Sequence, residues 1–102
     1  DIVILDPPAL AKSRGHVSKA LGLYQALNRD AIKTVEPGGY LITSSCSHFV
    51  DVPAFLEMLK RAATAAQRTV WRIDLRSAAP DHPILAAMPE TEYLKCAVLR
   101  VL

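Results

Sequence analysis

Only two cysteines, Cys46 and Cys96, occur among the 102 residues. That is too few for a disulfide framework or a cysteine-rich metal site. A reducing, cytoplasmic setting is the default expectation. No two of the three histidines stand at helical or ribbon metal-ligand spacing, so no metal is expected. Glycine is also sparse. Gly15, Gly22, Gly38 and Gly39 are the whole set, and no Gly-x-Gly motif exists among them. Neither sign of charge dominates: 12 lysines and arginines against 10 acids give a net charge of +2 and a pI of about 8.7. So mild a balance does not by itself argue for nucleic acid or an anionic membrane. No apolar run approaches the roughly 18 residues of a membrane span. There is no basic-then-apolar targeting segment either, and no starting methionine.

What is present is the composition of one small globular domain: 51% hydrophobic and 22% charged residues. The chain opens directly into Ile2-Val3-Ile4-Leu5, the aliphatic run of a strand buried on both faces of a parallel sheet. Such a strand is normally flanked by others, so the chain reads as part of something longer. Pro7 and Pro8 end the strand, because neither has an N–H for a ladder. After a loop over 9–17, a helix is expected from Ser18, as N-cap, to Val35. Ala20, Leu23, Tyr24, Leu27, Ala31 and Val35 form its apolar face. Pro37-Gly38-Gly39 closes that helix. Tyr40 to Thr43 is a second strand. Asp51 caps a second helix with Pro53 in its first turn, burying Phe55, Leu56, Leu59, Ala62, Ala63 and Ala66. In a third strand, Val70 to Arg76, Trp71, Ile73 and Leu75 alternate with Arg72, Asp74 and Arg76. Ser77 to Thr91 is a long loop. Tyr93 to Leu102 is a last strand, apolar on both faces apart from Lys95 and Arg100.

The order strand–helix–strand–helix–strand–loop–strand predicts an α/β fold with parallel pairing at the two crossovers. The last connection carries no helical pattern, so the final two strands are expected to be antiparallel. In open α/β sheets, ligands bind at the carboxyl ends of strands. Asp6-Pro7-Pro8 ends the first strand and Ser44-Ser45-Cys46-Ser47 the second. Neighbouring strands lie about 4.8 Å apart, which lets the Asp6 carboxylate and the Cys46 thiol face one planar substrate. Each residue also has a blander reading. Asp before Pro-Pro is a common turn residue, and a free cysteine at a strand end is often a small buried hydrophobe. Cys96, inside an apolar strand, reads as structural. His48 reads as a loop residue sooner than as a base near Cys46, and His82 as a turn residue sooner than as a ligand. Lys12, Arg14, Lys19, Arg29 and Lys33 stand against a single acid, Asp30, between Ala9 and Val35. That local bias suits phosphates, or simply a solvated face.

These motifs resemble a family. Asp1 to Ser13, reading DIVILDPPALAKS, is similar to the fourth motif of S-adenosylmethionine-dependent methyltransferases. Gly38 to Ser47, reading GGYLITSSCS, is similar to their sixth motif as found in RNA cytosine-5 methyltransferases. Gly22 to Asn28, Asp81-His82-Pro83 and Tyr93-Leu94-Lys95 add to the likeness, which extends over essentially the whole chain. Together they resemble the RlmI-type methyltransferases of large-subunit ribosomal RNA.

The resemblance implies the C-terminal half of a Rossmann-like class I methyltransferase sheet, β-α-β-α-β-β with its last strand antiparallel. The half bearing the glycine-rich cofactor loop would be absent. It implies S-adenosyl-L-methionine as cofactor, held in part by Asp6, Pro7 and Pro8, and ribosomal RNA as partner, with no membrane and no metal. Cys46 would add to carbon 6 of cytosine and make carbon 5 nucleophilic, while Asp6 hydrogen-bonds the ring. Lys12, Arg14, Ser45 and Ser47 are the candidate RNA contacts. Many RNA cytosine-5 methyltransferases carry a second cysteine where Pro8 stands, and this departure matches the RlmI type. A methyltransferase acting on another atom, such as an adenine amino group, would need Asp-Pro-Pro but no cysteine. A non-catalytic interaction domain is the third reading. The edge of the first strand is further expected to pair with a second copy through Ile2 to Leu5.

Overall fold

The computed structural model describes residues 1–10, 14–47, 49–76 and 94–102. Strand β1 (Ile2–Leu5) leads through a single 3-10 turn (Arg14–His16) into helix α1 (Val17–Thr34). Strand β2 (Tyr40–Ser45), helix α2 (Val52–Ala66) and strands β3 (Val70–Arg76) and β4 (Lys95–Val101) follow. The expected loop over 77–91, with His82, lies outside the described residues.

One four-stranded sheet carries the fold, in the order β1-β2-β4-β3. β1 and β2 are parallel, as the intervening helix requires. β4 inserts between β2 and β3 and runs antiparallel to both. The expected α/β class and the antiparallel last strand are therefore what the structure contains.

The sheet has two unlike faces. Leu41, Thr43 and Ser45 of β2 and Lys95, Ala97, Leu99 and Val101 of β4 are buried at alternate positions. They oppose one another in register, Leu41 to Leu99 and Ser45 to Lys95. Over them lie both helices, contributing Tyr24 and Ile32 from α1 and Phe55, Met58, Leu59 and Ala62 from α2. The opposite face is open. Ile2 and Ile4 are 64% and 70% exposed. The expectation that β1 is buried on both faces is thus corrected, because the helices cover only one side.

Two more expectations fail for physical reasons. On α1 the buried stripe is Ala20, Tyr24, Asn28 and Ile32, a single i, i+4 row, whereas Leu23 and Leu27 are exposed. Each leucine sits one residue before a buried position, about 100° round the helix. On β3 the alternation breaks at a bulge between Arg72 and Asp74. The bulge takes Ile73 out of register, and Trp71 and Ile73 are exposed. The helix starts also divide. Ser18 lies inside α1, behind the 3-10 turn, and His16 holds the cap position. Asp51 caps α2 as expected, its carboxylate accepting from the Ala54 N–H at 2.9 Å.

The turn into β2 is sterically closed. The Gly38 N–H donates to the Val101 carbonyl at 2.7 Å, and the Val101 N–H returns a bond to Gly39 at 2.9 Å. A Cβ on Gly39 would lie 2.8 Å from the Asp1 carbonyl oxygen and 2.9 Å from that of Glu36. Backbone on two sides cannot yield. Gly39→Ala is therefore expected to destabilise the fold by about 1–3 kcal/mol, read as a lower urea midpoint at unchanged slope.

Candidate functional site

The carboxyl ends of β1 and β2 meet, and they are held together from beneath by α1. The Ser44 hydroxyl donates to the Asp6 carboxylate at 2.8 Å, joining the two strand ends directly. Asp6 and Pro8 are exposed, and Pro7 is buried. Below them, the Tyr24 and Ser47 hydroxyls share a hydrogen bond of 2.6 Å. The Leu10 N–H donates to both oxygens, at 3.2 Å to Tyr24 and 3.1 Å to Ser47. One turn further along α1, Asn28 donates to the Tyr24 carbonyl at 2.8 Å and accepts from the Thr43 hydroxyl at 2.6 Å. A single helix face thus ties down the segment after β1, the body of β2 and the segment after β2.

The expected site residues divide accordingly. Cys46 is half-buried within the segment that leaves β2, two residues beyond the Ser44 that binds Asp6. Ser45 and Ser47 are fully buried. The Ser45 hydroxyl accepts from the Ser47 N–H at 3.3 Å, so both serines shape the loop around Cys46 from inside. Lys12 and His48 lie outside the described residues, as does the side chain of Arg14.

Three participants escaped the sequence reading. Tyr24 carries a hydroxyl that an apolar helix face leaves without a partner. Asn28 is a polar residue four positions from Tyr24 and from Ile32, on their stripe. Lys95 is only 3% exposed and donates through Nζ to the Ser47 carbonyl at 2.9 Å. The signal for it was its parity with Ala97, Leu99 and Val101 on one face of β4.

Cys96 occupies the other face. It opposes Ser44 in register and lines an apolar groove with Ile4, Ile42, Asp6 and Arg76. Partial burial pushes its thiol pKa up, the carboxylates of Asp6 and Asp74 push the same way, and Arg76 opposes them. Its thiolate is thus disfavoured where it stands.

An exposed carboxylate at the end of a parallel strand, backed by a proline, complements a cationic group such as a sulfonium. The residues present fit one side of an S-adenosylmethionine site. The four glycines make no Gly-x-Gly loop: Gly15 lies in the 3-10 turn before α1, Gly22 within α1, and Gly38 and Gly39 just before β2. Among the described residues no cluster of histidine, cysteine and carboxylates has the makings of a metal site. Among them, too, no helix is long and apolar enough to cross a membrane.

No family model matches the chain. Against known proteins it is 41% identical over 101 residues to the ribosomal RNA large subunit methyltransferase I of Aliivibrio fischeri. It is 38% identical to the protein of that name from Shewanella denitrificans. The chain is thus similar in sequence to these methyltransferases. The match takes in 99% of the chain, which spans about a quarter of the relatives' length (26% and 25%). Among solved structures, a protein described as a methyltransferase and complexed with SAH superimposes with a TM-score of 0.75 at 24% identity. A protein of Streptococcus mutans described as a SAM-dependent methyltransferase gives 0.72 at 21%. Each likeness covers 99% of this chain, with 26% and 25% of those chains, and shows the fold. The RlmI-type resemblance carried by the motifs is borne out.

The state of Cys96 has a measurable consequence. A thiol pKa raised by folding means that the native state holds its proton more tightly than the unfolded chain does. Stability then falls as pH rises from the ordinary thiol range through the raised value. Cys96→Ala is expected to flatten that alkaline decline in a series of urea melts. At pH 8, iodoacetamide should modify Cys96 of the folded protein several-fold more slowly than it modifies free cysteine.

Proposed function

We propose that this chain contributes the catalytic edge of an S-adenosylmethionine-dependent methyltransferase acting on carbon 5 of a cytosine in large-subunit ribosomal RNA. The observation that carries the reading is the Ser44–Asp6 bond, which puts Asp6-Pro7-Pro8 and the Cys46 segment on one edge of the sheet. Sequence similarity to ribosomal RNA large subunit methyltransferase I supplies the substrate class, and the cytoplasm is where such a substrate would be met. The cofactor, when bound, supplies a methyl group activated on a sulfonium sulfur.

In this reading Asp6, Pro7 and Pro8 form one wall of the cofactor site. The half that bears the glycine-rich loop belongs to the remaining length of such enzymes. Carbon 5 of cytosine is a poor nucleophile. Addition of the Cys46 sulfur to carbon 6 forms an S–C bond and pushes the ring double-bond electrons toward carbon 5. With N3 protonated as the adduct forms, the Asp6 carboxylate accepts hydrogen bonds from N3–H and from the exocyclic amino group. Once carbon 5 is methylated, loss of its proton to a base restores the double bond and expels the Cys46 sulfur. The target base must leave its stack to reach this edge. Lys12 and Arg14 are proposed to meet the phosphates beside it, while Ser45 and Ser47 keep the Cys46 segment in shape. The outer edge of β1 is proposed to pair with a second copy, through the N–H and C=O groups that alternate along the strand with those bonded to β2.

Two measurements test this. In calorimetric titration, S-adenosylmethionine is expected to bind a polypeptide extended N-terminally by roughly one domain length, and the present chain weakly or not at all. A folded longer polypeptide that fails to bind would remove the methyltransferase reading. In the active protein, Cys46→Ala is expected to abolish transfer and Cys96→Ala to retain it, with 5-methylcytidine identified by nucleoside mass spectrometry. Equal activity in the two variants would exclude Cys46 as nucleophile. A methylated adenine surviving in Cys46→Ala would shift the target to the amino group.

A further inference from the structure

A lysine on the buried face of a central strand demands an account. On β4 the inward positions are Lys95, Ala97, Leu99 and Val101. An ammonium there carries a desolvation penalty unless partners offset it. The long stem of a lysine commonly lets its head reach water, but this residue is almost wholly covered.

Its position relative to Cys46 is fixed twice. Lys95 stands opposite Ser45 in the β2–β4 register. Its Nζ donates to the carbonyl of Ser47 at 2.9 Å. Ser45 and Ser47 flank Cys46 in the chain, so the ammonium lies under the segment that carries the thiol. We propose that Lys95 is a positioning residue and counter-cation for Cys46: it holds the loop through Ser47 and stabilises the negative charge on the sulfur as it becomes a thiolate. The proposal rests on the reading of Cys46 as the nucleophile.

The electrostatics agree with the geometry. Burial pushes the Lys95 pKa down, while Cys46 and then Asp51 push it back up. The remaining groups about the junction would not replace Lys95. Asp6 at the end of β1 and Asp51 at the start of α2 are carboxylates, which oppose a second negative charge. Tyr24 of α1 offers a neutral hydroxyl to Ser47. Arg76 of β3 is a cation, but it pairs with Asp74 at 2.9 Å. Among the described residues, Lys95 is the cation anchored to the Cys46 segment.

The test reads the thiol directly and needs no methyl transfer. In a Cys96→Ala background Cys46 is the sole thiol. Iodoacetamide forms an S–C bond with it, iodide leaves and the proton passes to buffer, so the rate follows the thiolate fraction. The quantity measured is the alkylation rate at pH 7.5 divided by that at pH 10.5, by intact-mass kinetics. Lys95→Met is expected to lower this ratio about tenfold while leaving the rate at pH 10.5 nearly unchanged, and Lys95→Arg to restore it. An unchanged ratio in Lys95→Met overturns the proposal. So does a loss of rate equal at both pH values, which would mark a purely structural lysine.

A second measurement covers the case in which Lys95→Met does not fold. In the Cys96→Ala protein, the NMR titration midpoint of the Lys95 side chain is followed before and after Cys46 is alkylated. Alkylation removes the thiolate and is expected to lower the lysine midpoint; an unmoved midpoint overturns the proposal. The two readings fail separately. Retained transfer in Cys46→Ala would discard the nucleophile without touching the alkylation ratio. An unshifted ratio beside an inactive Cys46→Ala would discard Lys95 alone.

Discussion

The hydrogen bond between the Tyr24 and Ser47 hydroxyls is the constraint on which the site's geometry depends. Both groups are buried, and at 2.6 Å neither has room for water between them. Buried hydroxyls that find each other are inexpensive, whereas one left alone costs about 1–3 kcal/mol. This pair also receives the Leu10 N–H, so a helix and two strand-end segments converge on one polar point inside an apolar layer. The Asn28 amide repeats the device one turn along, clasping Thr43 of β2. The i, i+4 spacing of the two residues makes a single face of α1 a template for the carboxyl edge of the sheet. Without these polar anchors, hydrophobic contact alone would hold the helix on the sheet but leave the approach of the two loops loosely specified.

A division of labour follows between the sheet's faces. The helix-covered face supplies the support: Ser45, Ser47, Thr43 and Lys95 all point into it, where their polar groups are satisfied internally. The open face carries Cys96, whose thiolate is disfavoured, and the groove it shares with Asp6. The two cysteines thus stand in different surroundings. A buried ammonium is anchored to the Cys46 segment, whereas around Cys96 two carboxylates are opposed by Arg76. Composition treats the two thiols alike; register sets them apart.

Much of this was legible in the residues. The aliphatic run of β1, the capping Asp51, the Pro-Gly-Gly turn and the antiparallel end of the sheet all have local causes, and local causes can be read in order along a chain. The Asp6 and Cys46 motifs were legible too, because strand ends in α/β sheets are where sites gather. What escaped was set by partners distant in sequence. Leu23 and Leu27 look as apolar as Ile32, and only the docking of α1 decides which row faces inward. The bulge that displaces Ile73 arises from pairing with β4, some twenty-five residues away. Asn28 and Lys95 are polar residues at buried positions. At both positions the parity of the element was the guide, and the polar atom needed a partner that only the fold reveals.

Trp71 is the chain's single tryptophan, and it stands half-exposed on the open face, opposite Arg100. Its indole is an intrinsic optical reporter for that face and no other. In water its emission is red-shifted; beneath a packed helix or a second sheet it would move to the blue and lose access to soluble quenchers. The covering of this sheet by further polypeptide, by another copy or by nothing is therefore written in the colour of one residue, with no label added.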